Sequence, residues 1–298
     1  MKYCFILNAR KDKEFIHQAL QRQLDAQPGM DYFLFHTACP KDATRFVREY
    51  CRTHPADEVC FVACGGDGTI NEVANGLVGF EHKYLAVMAY GSGNDFVKYY
   101  RGANFRSVEA LLKGTIHQID ILKIGDKYSL NVCNFGFESL VCSRANQLSA
   151  KGAWWPYRRG IIWAVLHGMR SCISVTADGE KLNKSADILL GSLANCRYVG
   201  GEYCCAPRAL NDDGLIELCL VHPISIFRFI SVLPHYVKGT HLDVPKFRKF
   251  LEYRQVKHVE LHAPKGMEIC LDGELYPGTH FEIDIIEKAI HFIKPSEL

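Results

Sequence analysis

Two glycine-rich loops carry the most specific chemistry of this sequence. Cys64-Gly65-Gly66-Asp67-Gly68-Thr69-Ile70-Asn71-Glu72 lies between an apolar run, Val59–Ala63, and an amphipathic stretch. Three glycines in four positions let a backbone turn sharply and approach a ligand closely. The start of the helix that follows offers N–H groups and a positive dipole end, which suit phosphate. Tyr90-Gly91-Ser92-Gly93-Asn94-Asp95-Phe96 repeats the arrangement after the next apolar run, Leu85–Ala89. Two such loops at the same end of a parallel sheet line one crevice, the usual place for an α/β ligand. The plainer alternative is a strand-to-helix turn in which Thr69-x-x-Glu72 forms a capping box. That accounts for Thr69 and Glu72 and leaves Gly65, Gly66 and Gly68 without a reason. Neither loop reads Gly-x-x-x-x-Gly-Lys-Ser/Thr or Gly-x-Gly-x-x-Gly, which disfavours a P-loop and an ordinary dinucleotide fold.

Carboxylates supply the second set of candidates. Asp67, Asp95 and Asp120 each follow or end a strand-like run, so one sheet would let them converge. Each also has an ordinary explanation: Asp95 as a helix N-cap, Asp120 as the polar face of Ile119-Asp120-Ile121. Two Asp-Gly-Glu triplets, Asp178–Glu180 and Asp272–Glu274, read as hairpin turns. The first is followed by Lys181 and further polar residues, as at a solvent-exposed tip. The second lies between Ile269-Cys270-Leu271 and Leu275-Tyr276, an apolar setting of the kind that raises a carboxylate's pKa. Turn chemistry alone does not choose between them. Asp212-Asp213-Gly214 reads locally as a turn, and His258 and His262, four apart in a strand-like run, are too distant for one metal ion.

The elements that must position these groups alternate over the first ~120 residues as in a parallel α/β sheet. Tyr3–Leu7 and Tyr32–Phe35 read as strands. Phe15, Ile16, Ala19, Leu20 and Leu24 form a helical stripe stopped by Pro28-Gly29, and Ala43, Phe46, Val47 and Tyr50 form another. From Leu122 strand-like runs alternate with turn signals, interrupted by helical stretches at Pro156–Met169 and Ser225–Lys238. The division expected is an α/β domain over 1–122, a β-rich domain over 123–288, and a segment, 289–298, that returns to the first domain.

Composition sets the bounds. At 298 residues, 48% hydrophobic and 23% charged, the chain is an ordinary globular one of one large domain or two. Its 35 basic and 33 acidic side chains leave +2, no field to recruit nucleic acid. The longest apolar helical stretch, Ile161–Leu166, falls short of the ~20 residues of a bilayer span. The N-terminal apolar run is too short for a signal peptide. The 13 cysteines are odd in number and never spaced Cys-x-x-Cys, so they read as small buried hydrophobes in a reducing compartment, the cytoplasm.

In its ordered motifs the sequence resembles the diacylglycerol kinase catalytic family, above all its compact bacterial lipid kinases. The motifs are Gly65-Gly66-Asp67-Gly68-Thr69, Gly91-Ser92-Gly93-Asn94-Asp95-Phe96 and Leu271-Asp272-Gly273-Glu274. Asn195 before Gly200-Gly201, and Pro207-x-Ala209-Leu210-x-Asp212-Asp213-Gly214-Leu215, complete the set. Gly-Gly-Asp-Gly-Thr alone is shared with NAD kinases. The resemblance spans essentially the whole chain and implies an α/β nucleotide domain followed by a β-rich domain, with the active site in the cleft between them.

It further implies an ATP- and Mg2+-dependent lipid kinase. ATP would be held by Asn8, Arg10 and the rest of that loop, Thr37, Gly65, Gly66, Asp67, Gly68, Thr69, Ile70, Asn71, Glu72, Gly91, Ser92, Gly93 and Asn94. Asp67, Asp95 and Asp120 would organise the catalytic magnesium, and Glu274 would be the general base. Leu210, Asp213 and Leu215 would hold a second, structural magnesium, the outer two through carbonyls. The first motif departs from the family's Asn-Pro-x-Ser/Ala-Gly: this chain reads Asn8-Ala9-Arg10-Lys11-Asp12-Lys13, without the proline and the glycine, and with Arg10, Lys11 and Lys13 to neutralise phosphate charge instead. Two alternatives stand beside it: an NAD-kinase-type enzyme, and a nucleotide- or lipid-binding protein without turnover.

The acceptor would be diacylglycerol or a related glycerolipid, met by transient contact with a membrane surface, the chain being cytoplasmic and peripheral. No nucleic acid partner is expected, and a homodimer is compatible with the sequence. Trp154-Trp155-Pro156-Tyr157-Arg158-Arg159 leading into Ile161–Val165 suits an interfacial helix, but the preferred reading is the plainer one, a helix packed on the second domain. Phe227, Phe229, Ile230 and Leu233, with Arg228 and Lys238 beside them, form a second apolar patch.

Overall fold

The computed structural model describes residues 1–8, 14–183 and 185–297, in two compact units. The first comprises Met1–Asp120 and Glu287–Leu298, the second Ile121–Ile286. In chain order the first begins β1 (Lys2–Asn8), α1 (Glu14–Asp25), β2 (Tyr32–Thr37), α2 (Asp42–Thr53), β3 (Val59–Gly65), α3 (Asp67–Leu77), β4 (Lys83–Ala89), α4 (Val108–Leu112) and β5 (Thr115–Ile124). The strands run β4-β3-β1-β2, all parallel. β3 is buried along its whole length, as a strand covered on both faces must be. Phe5, Phe61, Leu7 and Leu20 are fully buried in this layer, each worth ~1.5–3 kcal/mol of transfer free energy.

The second unit carries β6 (Lys127–Ser129), β7 (Val132–Gly136), α5 (Phe137–Ala150), α6 (Pro156–His167), β8 (Ser171–Cys172), β9 (Ser174–Ala177), β10 (Glu180–Lys181), β11 (Asp187–Ile188) and β12 (Leu190–Ala194). It continues with β13 (Tyr198–Val199), β14 (Tyr203–Cys204), β15 (Ile216–Val221), α7 (Ile226–Lys238), β16 (Leu251–Val256), β17 (His258–Leu271) and β18 (Glu274–Lys294). Antiparallel pairing runs β16-β15-β12-β7-β17, and β17 pairs further with β9 and with β18. The last part of β18 belongs to the first unit, where His291 and Phe292 pair in parallel with Tyr84 and Leu85 of β4. Among the described residues no helix is long and apolar enough to cross a membrane.

Helices at 156–167 and 226–238 match the two helical stretches expected in the second half, and the Ser225 hydroxyl caps the latter by accepting from the Arg228 N–H. α5 was not among them. Its buried face carries Glu138 and Ser139 with Phe137, Val141, Cys142 and Ala145, so polar and apolar residues alternate where a stripe would be sought. Burial of Glu138 is made tolerable by hydrogen bonds: it accepts from the Tyr236 hydroxyl of α7 and, at 3.2 Å, from the Ser192 hydroxyl of β12. One carboxyl thus ties three elements.

Burial pushes the Glu138 pKa from 4.5 up to about 7, despite the two hydrogen bonds that favour the charged form. A raised acid binds its proton more tightly in the folded state. Its contribution to stability is therefore full below about 4.5 and lost as pH rises through about 7. Glu138→Gln, which cannot ionise, is expected to flatten this part of the melting-temperature profile relative to the parent. Parallel profiles across that window would mean that Glu138 is not titrating there.

Candidate active site

β1 and β2 end side by side, with Asn8 opposite Thr37, and β3 and β4 end at the two glycine loops. All four C-terminal strand ends meet a cavity of about 650 Å³. Asn8, Thr37, Gly66, Asp67, Gly68, Thr69, Glu72, Gly91, Ser92 and Gly93 line it, together with Ala38, Cys39 and Pro40. Those last three had not been singled out. The rule that strand ends line the crevice reaches them, since they directly follow Thr37. Arg10 and the rest of residues 9–13 lie outside the described residues.

The loops are in contact through bare backbone. A Cβ added at Gly91 would lie 2.3 Å from the Gly66 Cα, and one at Gly66 would lie 3.0 Å from the Gly91 Cα. Gly65 is free of a side chain because Thr69 folds over it: a Cβ there would meet Thr69 Oγ1 at 2.4 Å. Packing thus accounts for Gly65 and Gly66. It does not account for Gly68, whose added Cβ would meet nothing within 4 Å. The capping-box alternative fails on register. α3 begins at Asp67, so Thr69 lies inside its first turn, and Gly66 at the N-cap has no side-chain cap. Glu72 instead serves the neighbouring helix: its carboxylate accepts from the Ala43 N–H at 3.3 Å, and its carbonyl from the Thr44 hydroxyl at 2.7 Å.

Three other residues of the predicted nucleotide set, Ile70, Asn71 and Asn94, are not among those that line the cavity. Ile70 is buried, Asn71 accepts twice from the Asn75 amide at 2.9 Å, and Asn94 braces its own loop. The Asn94 side chain accepts from the Gly91 N–H at 3.0 Å and donates to the Gly91 carbonyl at 2.7 Å.

Asp67 and Asp95 face each other across Gly93, where an added Cβ would be 2.9 Å from Asp67 Oδ2 and 3.8 Å from Asp95 Oδ2. Asp67 also accepts from the Phe96 N–H at 3.1 Å, and Asp95 from Lys98 Nζ at 2.8 Å. Burial first, and then the neighbouring Asp95 carboxylate, hold the Asp67 pKa above the ordinary carboxylate value. Asp120 is fully buried and accepts from the Lys288 N–H at 2.7 Å, fixing the returning segment to β5. Among the described residues no three His, Cys, Asp or Glu side chains are gathered as a metal site, so Asp120 is not brought to Asp67 and Asp95 as a third ligand.

In the second unit both Asp-Gly-Glu triplets turn tight hairpins, with positive φ at both turn residues: 46° and 81° at Asp178-Gly179, 46° and 95° at Asp272-Gly273. The aspartates are anchors. Asp178 accepts from the N–H groups of Lys257 and His258. Asp272 accepts from those of Leu130, Asn131 and Val132 and from the Ser129 hydroxyl. The glutamates differ. Glu180 is 64% exposed and paired with Arg254 at 2.6 Å. Glu274 is half-buried, less enclosed than its apolar neighbours suggest, and accepts from the Tyr276 hydroxyl at 2.5 Å. Residues 210–215 form a turn before β15, with the exposed Asp213 carboxylate accepting from the Leu215 N–H at 3.1 Å.

The same unit holds a narrow apolar cavity of about 50 Å³. Tyr157 and Ile161 of α6 and Phe229, Val232, Leu233 and Tyr236 of α7 form part of its wall. Outward, α6 exposes Ile162 and Leu166, the segment just before it Trp154 and Trp155, and α7 Phe227 and Ile230; Trp154 is 83% and Phe227 86% exposed. α6 therefore both packs on the unit and presents an apolar stripe.

Comparison with known proteins agrees with this layout. Residues 2–124 match the model of the diacylglycerol kinase catalytic domain, and residues 131–294 that of the YegS C-terminal NAD kinase beta sandwich-like domain. A probable lipid kinase YegS-like of Shewanella frigidimarina is 29% identical over 272 residues, covering 85% of this chain and 81% of that protein. A diacylglycerol kinase of Bacillus subtilis is 27% identical over 295 residues, covering 96% and 92%. The crystal structure of a putative diacylglycerol kinase from Bacillus anthracis superposes with a TM-score of 0.79, at 21% identity over 100% of this chain and 98% of that one, and shares its fold. Matched in both halves, the chain belongs to the compact bacterial diacylglycerol-kinase-like family and is a phosphotransferase with an alcohol acceptor.

Proposed function

We propose that this protein transfers the γ-phosphate of ATP to the hydroxyl of a membrane glycerolipid, of which diacylglycerol is the type. What supports the nucleotide in the first unit is the start of α3. The N–H groups of Gly68 and Thr69 precede the first intrahelical bond, which runs from the Ile70 N–H to the Gly66 carbonyl at 3.1 Å, Gly66 has no side chain to cap them, and Gly68 leaves open space in the cavity. Asp67 and Asp95, converging across Gly93, fit a hard cation that takes oxygen ligands and keeps several waters. Magnesium bound there would neutralise charge on the transferring phosphate. Asp120 would act on it only through water, and Leu210, Asp213 and Leu215 would hold a second ion that steadies their turn.

Glu274 is assigned as the general base that takes the proton of the lipid hydroxyl, with the Tyr276 hydroxyl fixing one of its oxygens. The acyl portion would enter the apolar cavity, which at about 50 Å³ admits a chain only if α6 and α7 part. The exposed aromatic faces of those helices would rest on the bilayer from which the lipid is taken, near the basic Arg158, Arg159, Arg228 and Lys238.

Labelled ATP and magnesium offered with a panel of glycerolipids, and separately with NAD, should label a lipid; label on NAD alone overturns the proposal. Glu274→Gln should lower kcat by ~10²–10⁴-fold with nucleotide affinity unchanged. Glu180→Gln, at the exposed hairpin, should stay within about twofold, as surface changes do. The reverse pattern would place the base in the other hairpin.

In the first unit, Gly91→Ala should lower both the melting temperature and ATP affinity, because its Cβ cannot coexist with Gly66. Gly68→Ala should melt like the parent and still bind ATP more weakly by calorimetry. Equal affinity in Gly68→Ala and the parent would move the phosphates elsewhere. Vesicles containing anionic lipid should sediment the parent protein and release the Trp154→Ser/Phe227→Ser variant; equal sedimentation of both would remove this face from the membrane.

A further inference from the structure

Cys142 of α5 and Cys270, near the end of β17, bring their sulfur atoms to 2.9 Å, with the Cys270 thiol donating to Cys142. Elsewhere Cys64, Cys196 and Cys205 donate to backbone carbonyls at 3.6, 3.7 and 3.6 Å, as satisfied core thiols do. Cys142 and Cys270 meet each other. Their position relates them to the reaction. Cys142 also donates to the Gly273 carbonyl at 3.4 Å, and Asn146 donates to the same oxygen at 3.4 Å. In the β17–β18 hairpin Cys270 lies opposite Leu275, and Leu271 opposite Glu274. The two thiols therefore stand at the root of the turn that carries Glu274.

The pair is also chemically unequal. The hydrogen bond from Cys270 lowers the Cys142 thiol below its ordinary value, whereas that same bond, together with burial, raises the thiol of Cys270. Cys142 is 9% exposed and Cys270 4%, so the more acidic sulfur is the one nearer solvent. That is the division between an attacking and a resolving thiol.

We propose that Cys142 and Cys270 are a reversible oxidation site, closing to a disulfide that clamps the Glu274 hairpin to α5 and slows turnover. With a peroxide as oxidant, the Cys142 thiolate attacks one peroxide oxygen and cleaves the O–O bond, giving a sulfenic acid and hydroxide. The Cys270 thiol then attacks that sulfur, the S–S bond forms, and the sulfenic oxygen leaves as water once it takes up the thiol proton. Overall two thiols and one hydrogen peroxide give one disulfide and two waters. A disulfide needs its sulfurs ~2 Å apart, so closure draws the strand end and the helix together. It also removes the Cys142 S–H, so the Gly273 carbonyl loses one of its two donors. The effect on turnover rests on Glu274 being the base; the bond itself does not.

The test oxidises the full-length protein with hydrogen peroxide and maps its peptides without reduction. The expected product is a linked peptide joining Cys142 to Cys270, lighter by two hydrogens than its separate halves and reopened by dithiothreitol. Lipid kinase turnover should fall on the order of tenfold to a hundredfold, as small misplacements of a reacting group cause, and return on reduction. Cys142→Ser and Cys270→Ala, checked by melting temperature, should keep their turnover through the same treatment. Failure to find the linked peptide overturns the proposal. A linked peptide with unchanged turnover overturns the coupling to Glu274. If no lipid is phosphorylated by untreated protein, the kinase proposal has failed, and the peptide map still decides the disulfide.

Discussion

The first unit is organised around a contact that contains no side chain. Gly66 and Gly91 pack backbone against backbone where the ends of β3 and β4 meet, with no room for a Cβ on Gly91 and little for one on Gly66. The Tyr90 N–H donates to the Gly65 carbonyl at 2.9 Å, so the loops are joined by the backbone as well. Everything else at the site inherits its position from this seam. Asp67 is the first residue after it on one side, and Asp95 comes shortly after it on the other. Their carboxylates meet over Gly93 because there, too, a Cβ is missing. Two like charges held together in a buried place raise the free energy of the bare site, and a bound cation relieves it. The chain thus sets one carboxylate beside another, offset on the Asp95 side by Lys98, where a cation would lower the remaining repulsion.

The second unit relies on a different device. Each Asp-Gly turn drives its aspartate into a row of backbone N–H groups on a neighbouring connection, which the residue needs its whole carboxylate to satisfy. The glutamate two residues on is left to differ by surroundings alone, paired with arginine at one tip and held by tyrosine at the other. Identical triplets therefore share a scaffold role and diverge in chemistry.

Much of the first unit was legible because alternation of buried strands and striped helices is a strong pattern, and β1 to β4 with α1 and α2 fall where it puts them. α5 was not, because Glu138 and Ser139 occupy its buried face and are reconciled only by Ser192 and Tyr236, far away in sequence. At the site, spacing found both glycine loops but could not say which glycines answer to packing. Gly65 and Gly66 do; Gly68 does not. Glu72 looked like a partner for Thr69 and turned out to serve α2, since a capping box depends on the helix start, and the N-cap is Gly66, three residues before Thr69. Alternation within β5 read Asp120 as a polar face and could not see that Lys288, 168 residues later, presents an N–H to it in a buried place.

That last bond has a consequence for how the chain is made. The first unit is assembled from two separate stretches of the sequence: His291 and Phe292 pair with β4 and the Lys288 N–H meets Asp120, while the second unit lies between the two stretches. During synthesis β4 must wait, its outer edge unpaired, until His291 and Phe292 have been made. An open edge beside a run as apolar as Leu85–Ala89 invites pairing with other chains. The first unit, although its strands β1 to β4 are translated first, is therefore completed only after the whole second unit has been made.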